Sequence, residues 1–120
     1  MFYIAIVSHN HTELLLNTKV AETLNNLEQV QVVVKDNIGD IALNNYCTEH
    51  NITYLVSENK MGFGANNNYI FKYCTENLNA KPSDFFILIN PDVIIDEANI
   101  TKLFNYVAQH NTALCTPRMY

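Results

Sequence analysis

The chain has 120 residues, 48% of them hydrophobic and 16% charged, enough apolar content for one folded domain around one core. The net charge is −5, and its seven Lys and Arg residues are scattered, which excludes the clustered basic surface that nucleic-acid backbones require. No apolar run approaches the ~20 residues of a membrane span, and the apolar N-terminus lacks the basic flank and cleavage site of a signal peptide.

Residues 2–8 form a solid apolar run, the pattern of a strand buried on both faces. Thr12 is placed to cap a helix in which Leu16, Val20, Leu24 and Leu27 recur at near-helical spacing. Val30, Val32, Val33 and Val34 predict a second strand that ends at Lys35-Asp36. Asn37 to Asp40 reads as a turn, with Asp40 capping a helix over 41–50. Ile52 to Val56 is a short third strand. Ser57 to Gly64 is a loop, and a helix from about residue 65 to 79 carries Ile70, Tyr73, Cys74 and Leu78 on one face.

Lys81-Pro82-Ser83 breaks the chain before the strongest strand, Phe85 to Ile89, which runs directly into Asn90-Pro91-Asp92. Asp96 is expected to cap a last helix with Ile100, Leu103, Phe104, Val107 and Ala108 on its apolar face, and Thr112 to Cys115 reads as a final strand. Apolar strands alternating with helices predict an α/β fold, a parallel sheet with helices on both faces. Cys47, Cys74 and Cys115 have no metal-ligand spacing and read as reduced core residues, which suits a cytoplasmic protein.

Open α/β sheets bind ligands beyond the carboxyl ends of their strands. Polar residues gather at those ends here: Ser8, His9 and Asn10 after the first strand, Asp36 and Asn37 after the second, the loop reaching Gly62 and Gly64 after the third, and Asn90 and Asp92 after the fourth. No GxGxxG follows the first strand, and no P-loop or GxSxG elbow is present. Asp92 has two readings. It can ligate Mg²⁺, which takes one or two carboxylates and fills its other positions with phosphate and water, or it can close an Asx turn with Asn90 around Pro91. Asp36 is equally open. It can accept the imide N–H of uracil or thymine, a charge-assisted bond of about 1.5–3 kcal/mol, or it can cap its own turn. His9 and His11 make a His-x-His pair with no third ligand nearby, read as capping or solvent-facing.

Four segments in order, Ile6-Val7-Ser8-His9-Asn10, Val32-Val33-Val34-Lys35-Asp36-Asn37, Gly62-Phe63-Gly64-Ala65-Asn66-Asn67-Asn68 and Phe86-Ile87-Leu88-Ile89-Asn90-Pro91-Asp92-Val93, together resemble family-2 glycosyltransferases. The likeness is to rhamnosyltransferase-like members that build bacterial surface polysaccharides such as capsule, O-antigen or lipooligosaccharide. It implies the Rossmann-like N-terminal half of a GT-A fold. It implies a UDP- or dTDP-sugar donor, with Asp36 reading the base, Ser8, His9, Asn10 and Asn37 lining the nucleotide, and Gly62 and Gly64 letting the loop backbone approach the ligand. Asn68 matches the Asn that follows this loop, and Asn90 stands where a full DxD motif has its first Asp. Asp92 matches the last Asp of that motif, the ligand of Mg²⁺ or Mn²⁺ on the diphosphate, where the metal acts as a Lewis acid on the leaving group. Met61 departs from the Asn usual before Gly-Phe.

The resemblance places the acceptor site and the catalytic base beyond Tyr120. On that reading residues 1–120 are the nucleotide-sugar-binding portion of a truncated enzyme, able to bind donor but lacking general-base assistance of about 10²–10⁴-fold. The acceptor would be a saccharide or a lipid-linked saccharide, with peripheral association at the inner membrane face left open. Two other readings stand beside it: a non-catalytic α/β nucleotide-binding or interaction module, and a nucleotidyltransferase, which would show a basic Gly-rich loop after the first strand.

Overall fold

A computed structural model describes residues 1–57, 62–93 and 97–110, without the side chains of residues 63, 97 and 107–110. Four strands, β1 (Phe2–Ser8), β2 (Val30–Asp36), β3 (Thr53–Val56) and β4 (Phe85–Ile89), form one sheet in the order β3-β2-β1-β4. Every pairing is parallel. Five helices join or follow them: α1 (Thr12–Thr18), α2 (Val20–Asn25), α3 (Ile41–Glu49), α4 (Phe63–Asn77) and α5 (Glu97–His110). No described helix is long and apolar enough to cross a membrane.

The parallel α/β sheet is the one the sequence predicts. β1 is buried on both faces because its alternate residues feed two separate cores. Phe2, Ile4 and Ile6 join Val32, Val34, Leu15, Leu24, Leu43, Ile100 and Phe104 on the side of α1, α2, α3 and α5. Tyr3 and Ala5 join Val33, Leu55, Ile70 and Cys74 on the side of α4. A parallel sheet covered by helices on both faces needs solid apolar strands, and the valine run of β2 supplies them. Burial pushes the Cys47 thiol up to about 12 and the Cys74 thiol up to about 11, so both pack as small apolar groups and not as nucleophiles.

The structure departs from the predicted elements after β1, and α4 begins at Phe63, inside the segment expected to be a loop through Gly64. The single helix expected to follow Thr12 is two. Lys19 takes the left-handed conformation at φ 58°, its N–H closes on the Leu15 carbonyl, and the Val20 N–H reaches the Thr18 hydroxyl at 3.5 Å. The break lets Leu15 from α1 and Val20, Ala21 and Leu24 from α2 all reach the sheet, while Leu16 and Leu27 are only half-buried. Thr12 is the first helical residue and not the cap, since His11 occupies the N-cap position without a side-chain bond. Asp40 does cap α3, its Oδ1 accepting from the Ala42 N–H at 2.9 Å. The Asp96 cap and the expected strand from Thr112 to Cys115 lie outside the described residues.

Asn25 ties the second helix to the sheet. Its Oδ1 accepts from the Val32 N–H at 2.9 Å, and its Nδ2 donates to the His50 and Asn51 carbonyls at 3.3 Å each. The chain order places β2 and β3 on one side of β1 and β4 on the other. The direction of winding therefore reverses at β1, and the crevice at the carboxyl ends of β1 and β4 is where such sheets hold ligands.

Candidate functional site

Register brings the strand ends together. Ser8 pairs with Asp36, and Asp36 pairs with Val56, so β1, β2 and β3 finish at one level. Ile6 pairs with Ile89, which puts Asn90 and Asp92 just beyond the same rim on the far side of β1. Asp36 and Asn90 are thus two strand spacings apart, about 10 Å across the sheet.

Each predicted site residue has a definite place on this rim. Ser8 is fully buried, and its hydroxyl accepts from the His11 N–H at 3.2 Å. The His9 N–H donates to His11 Nδ1 at 2.9 Å, so the His-x-His pair organises its own turn. Asn10 takes φ 65°, a conformation asparagine tolerates, and both His9 and Asn10 stand exposed. The Asn37 N–H donates to the Ser8 carbonyl at 2.9 Å, locking the first two loops together.

Asp36 is turned inward, and its side chain is 1% exposed. Oδ1 accepts from the Ile38 N–H at 2.9 Å, and Oδ2 accepts from the Asp40 N–H and the Tyr54 hydroxyl at 2.8 Å each. Burial pulls its pKa up, but the Ile38 N–H, the Tyr54 hydroxyl and the Asp40 and Gly39 N–H groups outweigh burial and hold the carboxyl below its ordinary range. Tyr54 is pushed up in turn, first by burial and then by its bond to Asp36. The turn after β2 is wound around this one anion, with Gly39 in the left-handed region at φ 82°.

Gly62 is the N-cap of α4 and Gly64 lies in its first turn, both exposed. Neither has positive φ, and a Cβ on either would meet nothing within 4 Å among the described residues. Asn66 and Asn67 are buried at 1% and 7% exposure, whereas Asn68 points to the exposed side. On the other flank the Val93 N–H closes a turn onto the Asn90 carbonyl at 3.1 Å. Pro91 is buried beneath it, and Asn90 and Asp92 are exposed.

The sequence reading missed Lys35, Tyr54 and Asn66. Lys35 is fully buried, with Nζ bonded to Asn37 Oδ1 at 3.0 Å and to Asn66 Oδ1 at 3.1 Å. Lys35 follows the valine run at the strand end, where a charged residue is ordinary, so the sequence offered no signal for its burial. Residues 58–61 of the expected binding loop lie outside the described residues.

No group of three or more His, Cys, Asp or Glu that could hold a metal occurs among the described residues. An exposed single carboxylate at Asp92 fits a hard cation that draws its other ligands from a diphosphate and water, and fits no metal that needs a protein cage. A cavity of about 460 Å³ lies beside the rim, walled by Asn10, Thr12, Glu13, Leu16, Asn17 and Asp40. Its two carboxylates make it a poor seat for phosphate, and of the predicted site residues it contains only Asn10.

No solved structure matches the sequence. The chain is 31% identical to Rhamnosyltransferase WbbL of Escherichia coli K12 over 97% of its own length and 44% of that protein's. It is 26% identical to the Low-salt glycan biosynthesis hexosyltransferase Agl10 of Haloferax volcanii over 88% of its length and 35% of that protein's. The chain therefore spans less than half the length of these relatives. The family described as Glycosyl transferase family 2 matches residues 3–120. With nearly the whole sequence inside that match and a parallel α/β sheet beneath it, the chain belongs to glycosyl transferase family 2.

Proposed function

We propose that residues 1–120 form the donor-binding portion of a glycosyltransferase that takes a UDP- or dTDP-sugar together with Mg²⁺ or Mn²⁺. The observation that carries the reading is the shared rim: Ser8, Asp36 and Asn37 stand on one side of the winding reversal, Asn90 and Asp92 on the other. Family membership and the two named relatives support rhamnosyl or hexosyl transfer. The setting would be bacterial surface polysaccharide synthesis, with a saccharide or lipid-linked saccharide as acceptor. The acceptor site and base would come from sequence that the longer relatives have outside the matched region.

In this assignment His9, Asn10, Asn37 and Asn90 line the nucleotide, buried Ser8 holds their loop from beneath through the His11 N–H, and Asn68 contributes from the exposed side of α4. Asp92 holds the metal, which supplies positive charge to the leaving diphosphate. Asp36 reaches the base only if the turn over residues 37–40 withdraws one of the N–H groups that donate to it, so that the imide N–H of uracil or thymine donates in its place. The open space at Gly62 and Gly64 supports a close ligand approach, because nothing among the described residues forbids a side chain there.

Two results test the assignment. In calorimetry, UDP is expected to bind more tightly with Mn²⁺ than without it. Asp92→Asn should remove that gain while leaving the melting temperature unchanged, since Asp92 is exposed. A folded chain that ignores UDP and dTDP with and without metal refutes the donor site. Gly64→Ala should stabilise the fold by up to about 0.5–1 kcal/mol, because alanine is the better helix residue. The same variant should weaken UDP binding by placing a methyl in the ligand's path. Unchanged affinity in Gly64→Ala would remove the loop from the site.

A further inference from the structure

Lys35 occupies a position where folding alone favours an apolar side chain. It lies on the α4 face of β2, in line with Val33, and no part of it reaches solvent. Burial pushes the Lys35 ammonium down from its ordinary range, and the neighbouring Asp36 charge restores part of that shift. Buried charge is costly, and well-packed apolar residues in such places are often neutral or stabilising. The lysine must therefore be explained by what its head group holds.

An ammonium is a donor only, with three N–H bonds and no acceptor. Asn37 and Asn66 can face it only through their amide oxygens, as they do at 3.0 and 3.1 Å. Its charge also lies 5.5 Å from the ring centroid of Tyr69, near the outer limit of cation–π range. Asn37 belongs to the turn after β2, and Asn66 and Tyr69 belong to the start of α4. One cation thus joins the two segments that carry Asp36 and Asn37 on one side and Gly62, Gly64 and Asn68 on the other. It also fixes both amides with oxygen inward, so that their N–H donors serve other partners.

We propose that Lys35 is a positioning residue for nucleotide binding, setting the separation of the β2–α3 turn from the first turn of α4 and the orientation of the Asn37 and Asn66 amides. The proposal rests on the donor-site reading for its functional consequence, while the clamp itself is measurable without any ligand.

The test uses the chain with two substitutions, Lys35→Met and Asn66→Ala. Side-chain NH₂ resonances of asparagine report the amide orientation in the absence of nucleotide. In Lys35→Met the Asn37 and Asn66 signals are expected to shift together. In Asn66→Ala the Asn37 signal is expected to shift although the substitution lies on another element. UDP with Mn²⁺ is the binding probe, and each folded variant is expected to lose at least tenfold in affinity. An Asn37 signal unmoved in Asn66→Ala overturns the clamp. A wild-type chain that binds UDP, with folded variants that bind it equally well, overturns the positioning role. If the wild type ignores UDP, the donor reading fails and the NH₂ signals still judge the clamp. If Lys35→Met does not fold, Asn66→Ala decides alone.

Discussion

Asp36→Ala is expected to lower the unfolding free energy by about 3–5 kcal/mol, the range seen when one partner of a buried charged network is removed. The carboxylate accepts from the Ile38 and Asp40 N–H groups and from the Tyr54 hydroxyl, and its side chain is 1% exposed. Alanine would strand all of those donors. Each orphaned buried donor costs about 1–3 kcal/mol, less whatever the turn recovers by opening to water. Domains are stable by only about 5–15 kcal/mol, so the variant should sit close to unfolding at room temperature. Urea melts of the two proteins measure the difference. A loss below about 1 kcal/mol would mean that the turn rearranges freely, in which case Asp36 is far more available to a ligand than its burial suggests.

The sign of the pH dependence follows from the depressed pKa of the same group. Asp36 contributes its stability fully above the unfolded carboxyl value of about 3.9, and loses it as pH falls through the lower folded value. The gap between wild type and Asp36→Ala should therefore be constant at neutral pH and narrow in acid. A gap that widens below pH about 4 would contradict a carboxylate held in its ionised form.

Phe104→Ala is expected to cost about 3–5 kcal/mol, as for other buried phenylalanines. Phe104 stacks on Phe2 with ring centroids 4.1 Å apart, and Phe2 stacks on Phe85 at 5.2 Å. Three rings from α5, β1 and β4 thus fasten the last described helix to the edge of the sheet. Asn90 and Asp92 lie in the connection between β4 and α5, so loosening α5 should also blur the position of the candidate metal ligand. The variant should lose metal-dependent UDP affinity as well as stability, unlike Asp92→Asn, which should lose only the former. Thermal melts and calorimetry on both variants separate the cases. A Phe104→Ala chain as stable as wild type would show that α5 is not docked on Phe2.

These expectations differ in how much of them could be read from the residues alone. The β-branched and aromatic runs of β1 and β2 fixed their own conformation and burial, because a side-chain period of two with apolar residues at both phases leaves no face for water, whereas the equally apolar β4 lies at the sheet edge, mostly half-buried, with Leu88 exposed. The polar residues at the strand ends were legible for the same reason: they are where those runs stop. The break at Lys19 was not legible, since Leu16, Val20 and Leu24 suit one helix as well as two, and only the sheet beneath decides which of them it can accept.

Local chemistry by itself determined that Asp36 and Asp92 close strands and that an anion at either place had two uses. Which way each carboxylate faces was settled by partners distant in the chain. Tyr54 arrives from β3 to hold Asp36 inward, and among the described residues nothing comparable bonds Asp92, which stays exposed above buried Pro91. Lys35 makes the same point more sharply. A lone lysine at a strand end carries no signal of its own, and its meaning appears only when α4 brings Asn66 to within 3.1 Å. Periodicity is a property of neighbours in sequence, and so the sequence determined the elements. Satisfaction of a buried polar group is a property of neighbours in space, and so only the tertiary structure decided the roles.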